Sequence, residues 1–156
     1  MSEEETTAKP NGEYEKGAAV SRKPFRISDF DEPRDKEMAV FTQAKKLSEY
    51  LFTITQKSPV KYRWNIISRL LNTSTEIIED LYRANFEREA ERVIWQKKAM
   101  ASLNLLDFYS ETAKNLQAIT FHQMEVIAKQ ITEVKKLLSG WVRSTKKSDK
   151  APPANT

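Results

Sequence analysis

Side chains suited to acid–base or metal chemistry are scarce in this 156-residue chain. His122 is the single histidine, and there is no cysteine, so disulfides and thiolate metal sites are excluded. His122 falls in the first turn of a predicted helix, a position that suits a surface residue better than a general base. Glu76, Glu79 and Asp80 form an acidic cluster on another predicted helix. A di-iron bundle would need a Glu-x-x-His pair on each of two helices, and no such motif occurs. There is no glycine-rich phosphate loop and no serine–histidine–aspartate set with histidines to build it. The expectation is a chain that is not an enzyme and takes neither metal nor cofactor.

Positive charge is the more abundant resource. The whole chain carries 26 Lys and Arg against 22 Asp and Glu, a net charge of +4. Residues 1–39 hold ten acids and seven bases, whereas residues 40–156 hold 12 acids and 19 bases, a surplus of seven positive charges. A basic body with an acidic arm suggests a polyanionic partner, with solubility as the plainer alternative. Lys57, Lys61 and Arg63 cluster at a predicted turn, with Arg69 further along the helix that follows. Lys135, Lys136, Arg143, Lys146 and Lys147 gather towards the end of the last helix. Phosphate contacts from such residues carry affinity and little sequence information. For Lys135, Lys136 and Arg143 the competing explanation is a favourable interaction with a helix C-terminus. Among the tryptophans, Trp64 and Trp141 fall on apolar stripes and are assigned to core or oligomer packing. Trp95 falls off its stripe and is a candidate exposed interface anchor.

The elements that must position these residues are helical. Only three glycines occur, one of them beyond residue 17, too few for the turns of an all-β fold. A first helix is predicted from about Lys36 to Gln56, with Val40, Ala44, Leu47, Leu51 and Ile54 on one stripe. Lys57-Ser58-Pro59 ends it, because the residue before proline avoids the α region. A second helix starts near Pro59 and runs to about Asn85, with Val60, Trp64, Ile67, Leu71, Ser74, Ile78 and Leu81 stepping by four and three. A third spans roughly Glu87 to Leu116, its stripe read as Ile94, Ala101, Leu105 and Phe108, widened by Met100, Leu106 and Tyr109. The fourth opens with a capping box, Thr120-Phe121-His122-Gln123, with Ile119 and Met124 placed as a hydrophobic staple. Its stripe is Met124, Ile127, Ile131, Val134, Leu138 and Trp141, and Gly140 is a candidate left-handed C-cap.

Short connections between such helices predict an all-α fold: an up-down-up-down antiparallel four-helix bundle. The domain plan is a disordered arm over residues 1–37, the bundle over 38–144, and a flexible basic, proline-bearing tail over 145–156. Within the arm, Pro24-Phe25-Arg26-Ile27-Ser28-Asp29-Phe30 carries three large apolar residues that could dock on a partner or on the bundle, with an idle tail as the plainer alternative. In the predicted bundle, the first turn and the end of the fourth helix lie at opposite ends, giving two basic patches. No apolar run is long enough to span a bilayer, and the acidic N-terminus is not a signal peptide, so a cytoplasmic location is expected.

Two segments resemble a known family. Pro59-Val-Lys-Tyr-Arg63-Trp64-Asn-Ile-Ile-Ser-Arg69 is similar to a proline, arginine-aromatic, arginine pattern at the start of the second helix in a set of small bundle proteins. Ile131-Thr-Glu-Val-Lys-Lys-Leu-Leu-Ser-Gly-Trp-Val-Arg-Ser144 resembles the family's closing signature of leucine, two glycines, tryptophan, an aliphatic and a basic residue, with Ser139 in place of the first glycine. The family comprises the Avd accessory proteins of diversity-generating retroelements and the proteins encoded in intervening sequences of bacterial large-subunit ribosomal RNA. The resemblance covers about residues 40–147. It implies a homopentameric barrel that binds RNA or DNA through a basic surface. It also implies association with a reverse transcriptase, in a complex that makes mutagenised cDNA. Arg63 and Arg69 would be the matching contact residues, with Lys57, Lys61 and the closing basic residues beside them. The alternative is a structural oligomeric adaptor, or an intervening-sequence protein, with no reverse-transcriptase partner.

Overall fold

The computed structural model describes residues 35–150. The segment Pro24–Phe30, the rest of the predicted arm before Asp35, and residues 151–156 lie outside them. Four α-helices make up the described chain: α1, Asp35–Thr55; α2, Ser68–Phe86; α3, Glu89–Asn115; and α4, Phe121–Lys150. A 3₁₀ turn, Val60–Tyr62, and a π turn, Arg63–Ile67, lead into α2. No strand occurs among the described residues.

The helices pack as neighbours in a ring, each of α1 and α3 touching both α2 and α4. Three aromatic rings hold one end: Phe41 near the start of α1 lies 4.7 Å from Tyr82 near the end of α2 and 6.4 Å from Trp141 on α4. At that same end, Gln96 in α3 donates to Thr145 Oγ1 in α4 at 3.2 Å. The start of α1 therefore sits beside the ends of α2 and α4, and the start of α3 beside the end of α4, as antiparallel neighbours require.

The core runs through Val40, Ala44, Leu47 and Leu51 of α1 and Ile127, Ile131, Val134, Leu138 and Trp141 of α4, all buried as their spacing predicts. The capping box also forms: Gln123 N–H donates to Thr120 Oγ1 at 3.1 Å, and Thr120 N–H donates to Gln123 Oε1 at 2.9 Å. Ile119 and Met124, the predicted staple pair, both join the core.

Five expectations are corrected. The buried stripe of α3 is Gln96, Ala99, Leu103, Leu106, Ser110 and Ala113. Ile94, Leu105 and Phe108 face outwards instead, at 49%, 48% and 59% exposure. Helix α2 is entered through turns of unequal width, which breaks the four–three register assumed from Pro59 onwards. Val60 and Trp64 are thereby left outside the core, while Ile66, Ile67 and Leu70 enter it. Gly140 does not cap a helix: no glycine among the described residues has positive φ, and α4 continues ten residues beyond it to Lys150. The flexible tail predicted from residue 145 is thus helical as far as Lys150, with Thr145 buried and hydrogen-bonded to both Gln96 and the Trp141 carbonyl. At the other end, α1 begins at Asp35, three residues inside the predicted arm.

Candidate nucleic-acid interface

Two turns meet at the end of the bundle opposite Phe41 and Trp141. After α1, Ser58 donates from Oγ to the Ala118 carbonyl at 2.7 Å, and the Tyr62 hydroxyl donates to the Leu116 carbonyl. These bonds bridge 60 and 54 residues of sequence and tie the α1–α2 connection to the α3–α4 turn. The latter is a Schellman closure: Ala118 N–H donates to Ala113 O at 2.8 Å and Gln117 N–H to Lys114 O at 2.9 Å. Gln117 supplies the left-handed residue, with φ 65°.

On this braced end Lys57, Lys61 and Arg63 are all exposed, in the segment between α1 and α2. Arg69, also exposed, follows at the start of α2, where it lines an open depression with Trp64, Asn65, Asn72, Glu76 and Leu116. The predicted first patch therefore holds together. It gains Lys114, from the last turn of α3, which lines a second depression together with Lys57. Lys114 was accessible to sequence reasoning, because antiparallel helices must bring the end of the third helix to the first turn. Its ammonium lies 6.0 Å from the Phe121 ring centroid.

The predicted second patch divides. Arg143, Lys146 and Lys147 are exposed near the far end of α4. Lys136 lies 14 residues before Lys150, about 21 Å along the axis, so neither it nor Lys135 serves the helix terminus. Lys136 pairs with Glu133 at 3.5 Å, and both side chains are largely exposed, so the pair contributes little to stability.

Trp95, expected as an exposed anchor, is half-buried against the core. Cations cover it: the Arg83 guanidinium carbon lies 4.8 Å and Lys98 Nζ 4.4 Å from the ring. Nearby Asp80 has its pKa raised, chiefly by burial; Lys98 and Arg83 oppose the rise, and Glu76 and Glu79 add to it. Sequence reasoning also missed Arg92, whose Nε donates to the Ala84 and Glu87 carbonyls, each at 2.9 Å, closing the end of α2. His122 is exposed, and no three histidine or acidic side chains among the described residues are grouped to hold a metal ion. No helix among the described residues is long and apolar enough to cross a membrane.

A family model described as bAvd-like matches residues 38–145. No curated protein matches the chain. Among solved structures, it is similar to a protein of unknown function from the S23 ribosomal protein family of Bacteroides thetaiotaomicron. The two share 18% identity and a TM-score of 0.63 over 69% of this chain and 98% of that one, a likeness of fold.

Proposed function

The chain belongs to the bAvd-like family, and from that premise we propose that it is a non-catalytic, nucleic-acid-binding accessory subunit of a reverse transcriptase. In this reading it works in the cytoplasm, without a cofactor, as a homo-oligomer, most simply a pentamer. It supports synthesis of mutagenised cDNA in a diversity-generating retroelement. The observation that carries the nucleic-acid part is the braced turn end, where Lys57, Lys61, Arg63 and Lys114 share one surface with Arg69 adjoining. Hydrogen bonds between two turns fix the backbone beneath these cations, so their charges are held together without ordering a loop on binding. Arg143, Lys146 and Lys147 at the far end are a secondary contact, and Lys135 and Lys136 a weaker one.

The test is a titration of labelled single-stranded RNA and duplex DNA at low and near-physiological salt. Affinity should fall steeply as salt rises, because each neutralised phosphate releases counterions. Arg63→Ala with Arg69→Ala should weaken binding to all sequences alike, since phosphate contacts position and do not specify. Absence of binding by the unaltered protein at low salt would remove this reading. It would leave that of a structural adaptor or intervening-sequence protein, which the outward apolar residues of α3 favour independently of any nucleic acid. Co-purification with a co-expressed reverse transcriptase tests the partner.

A further inference from the structure

Trp64 is 86% exposed, the most open of the large apolar side chains among the described residues. Leaving an indole in water forgoes the stabilisation that burying a large apolar side chain would bring. Its backbone is nonetheless fixed. It stands on the π turn Arg63–Ile67, which Ile66 and Ile67 anchor in the core. The preceding Tyr62 is tied to the Leu116 carbonyl. Asn65 braces the same turn, donating from Nδ2 to the Lys61 carbonyl at 3.3 Å and accepting from Ile66 N–H. π turns are rare and are frequently found at functional sites.

The three tryptophans are in different states. Trp141 is 3% exposed, and Trp95 is flanked by Arg83 and Lys98. No cation or ring contacts Trp64 among the described residues. Its surroundings are polar and positive: Lys61, Arg63 and Arg69 are exposed along the same segment, and Asn65 and Asn72 line the depression beside the ring. An aromatic plate set between phosphate-binding cations and side-chain amides has the composition of a single-strand platform. Bases stack on the ring, the backbone lies on the cations, and the amides meet base edges. A duplex keeps its bases stacked on one another and offers such a surface only phosphates.

We propose that Trp64 stacks on an unpaired base, so that this surface binds single-stranded nucleic acid in preference to duplex. This rests on the nucleic-acid reading above and deepens it. A second copy of the chain is the less fitting occupant, because docking would press the exposed Lys61, Arg63 and Arg69 into a desolvated contact beside a single carboxylate, Glu76, in the depression.

The experiment uses the full chain with labelled oligouridylate and a duplex of equal length. Trp64→Ala should lower affinity for the single strand by about tenfold or more, within the range of one lost stacked base, and leave duplex affinity nearly unchanged. Trp64→Phe should restore most of the loss. Single strand should quench the tryptophan fluorescence of the unaltered protein and quench that of Trp64→Phe much less. Equal effects on both ligands, or none, overturn the proposal. So does dissociation of the oligomer by Trp64→Ala, seen in sedimentation with unchanged single-strand affinity, which assigns the ring to a contact between copies. Arg63→Ala with Arg69→Ala distinguishes the two levels. Loss on both ligands in that variant, without the strand-specific effect of Trp64→Ala, retains nucleic-acid binding and rejects stacking. No binding by the unaltered protein rejects both.

Discussion

Gln117 occupies the left-handed region, φ 65°, so that two turns can close against each other. A residue with a Cβ pays about 1–2 kcal/mol there, and glycine almost none. Gln117→Gly should therefore stabilise the fold by about 0.5–1 kcal/mol, less than the full strain because glycine also gives the unfolded chain more freedom. The check is a urea midpoint that rises with an unchanged slope. A midpoint that falls would mean that the glutamine side chain itself stabilises the turn. At this scale the sequence was partly legible. Thr120 and Gln123 are read directly, because a capping box needs only local spacing. Gln117 and Arg92 are not, because what defines them is a backbone angle in one case and backbone carbonyls of another helix in the other. Trp64 was misplaced for a third reason: counting by fours and threes assumes a regular helix, and the entry to α2 is first too narrow and then too wide.

Helix α3 has two faces that a hydropathy count ranks in the wrong order. The outer one carries Ile94, Leu105 and Phe108, while the inner one includes Gln96, Ala99, Ser110 and Ala113. Small and polar residues belong inside here because the neighbouring helices fill the space: the Gln96 amide meets Thr145, and alanines let backbones approach. Helices α1 and α4 are legible because each carries one long stripe stepping by four and three, most of whose members are buried. Adjacent leucines of α3 give the test. Leu106 is fully buried, so Leu106→Ala should cost about 2–5 kcal/mol. Leu105→Ala, on the half-exposed neighbour, should cost under about 1 kcal/mol when unfolding is followed in urea at a dilution that keeps the chain monomeric. Equal losses would mean that the helix is rotated from the orientation described. The continuation of α4 was illegible for a related reason. Gly140 and the basic run after it look like a helix end, yet Thr145 is held inside by a partner 49 residues away.

Ile94, Leu105 and Phe108 put three large apolar side chains, each about half exposed or more, on the outward face of α3. The three lie on one side of α3, since 94, 105 and 108 are separated by close to three turns and then one. In the proposed assembly a second copy covers this face, and the Avd resemblance makes a closed ring of five the expected arrangement. Sedimentation at micromolar concentration should then give a mass well above the 18.1 kDa of one chain. Leu105→Glu with Phe108→Glu should return the protein to that mass while its helical circular dichroism persists, because neither residue is in the core. The same variant should bind nucleic acid more weakly and with a shallower salt dependence. One protomer presents one basic end and neutralises fewer phosphates than several tied together. A monomer in the unaltered protein would overturn the assembly. An unchanged salt slope in a genuinely monomeric variant would mean that each protomer binds alone and that assembly serves the polymerase contact instead.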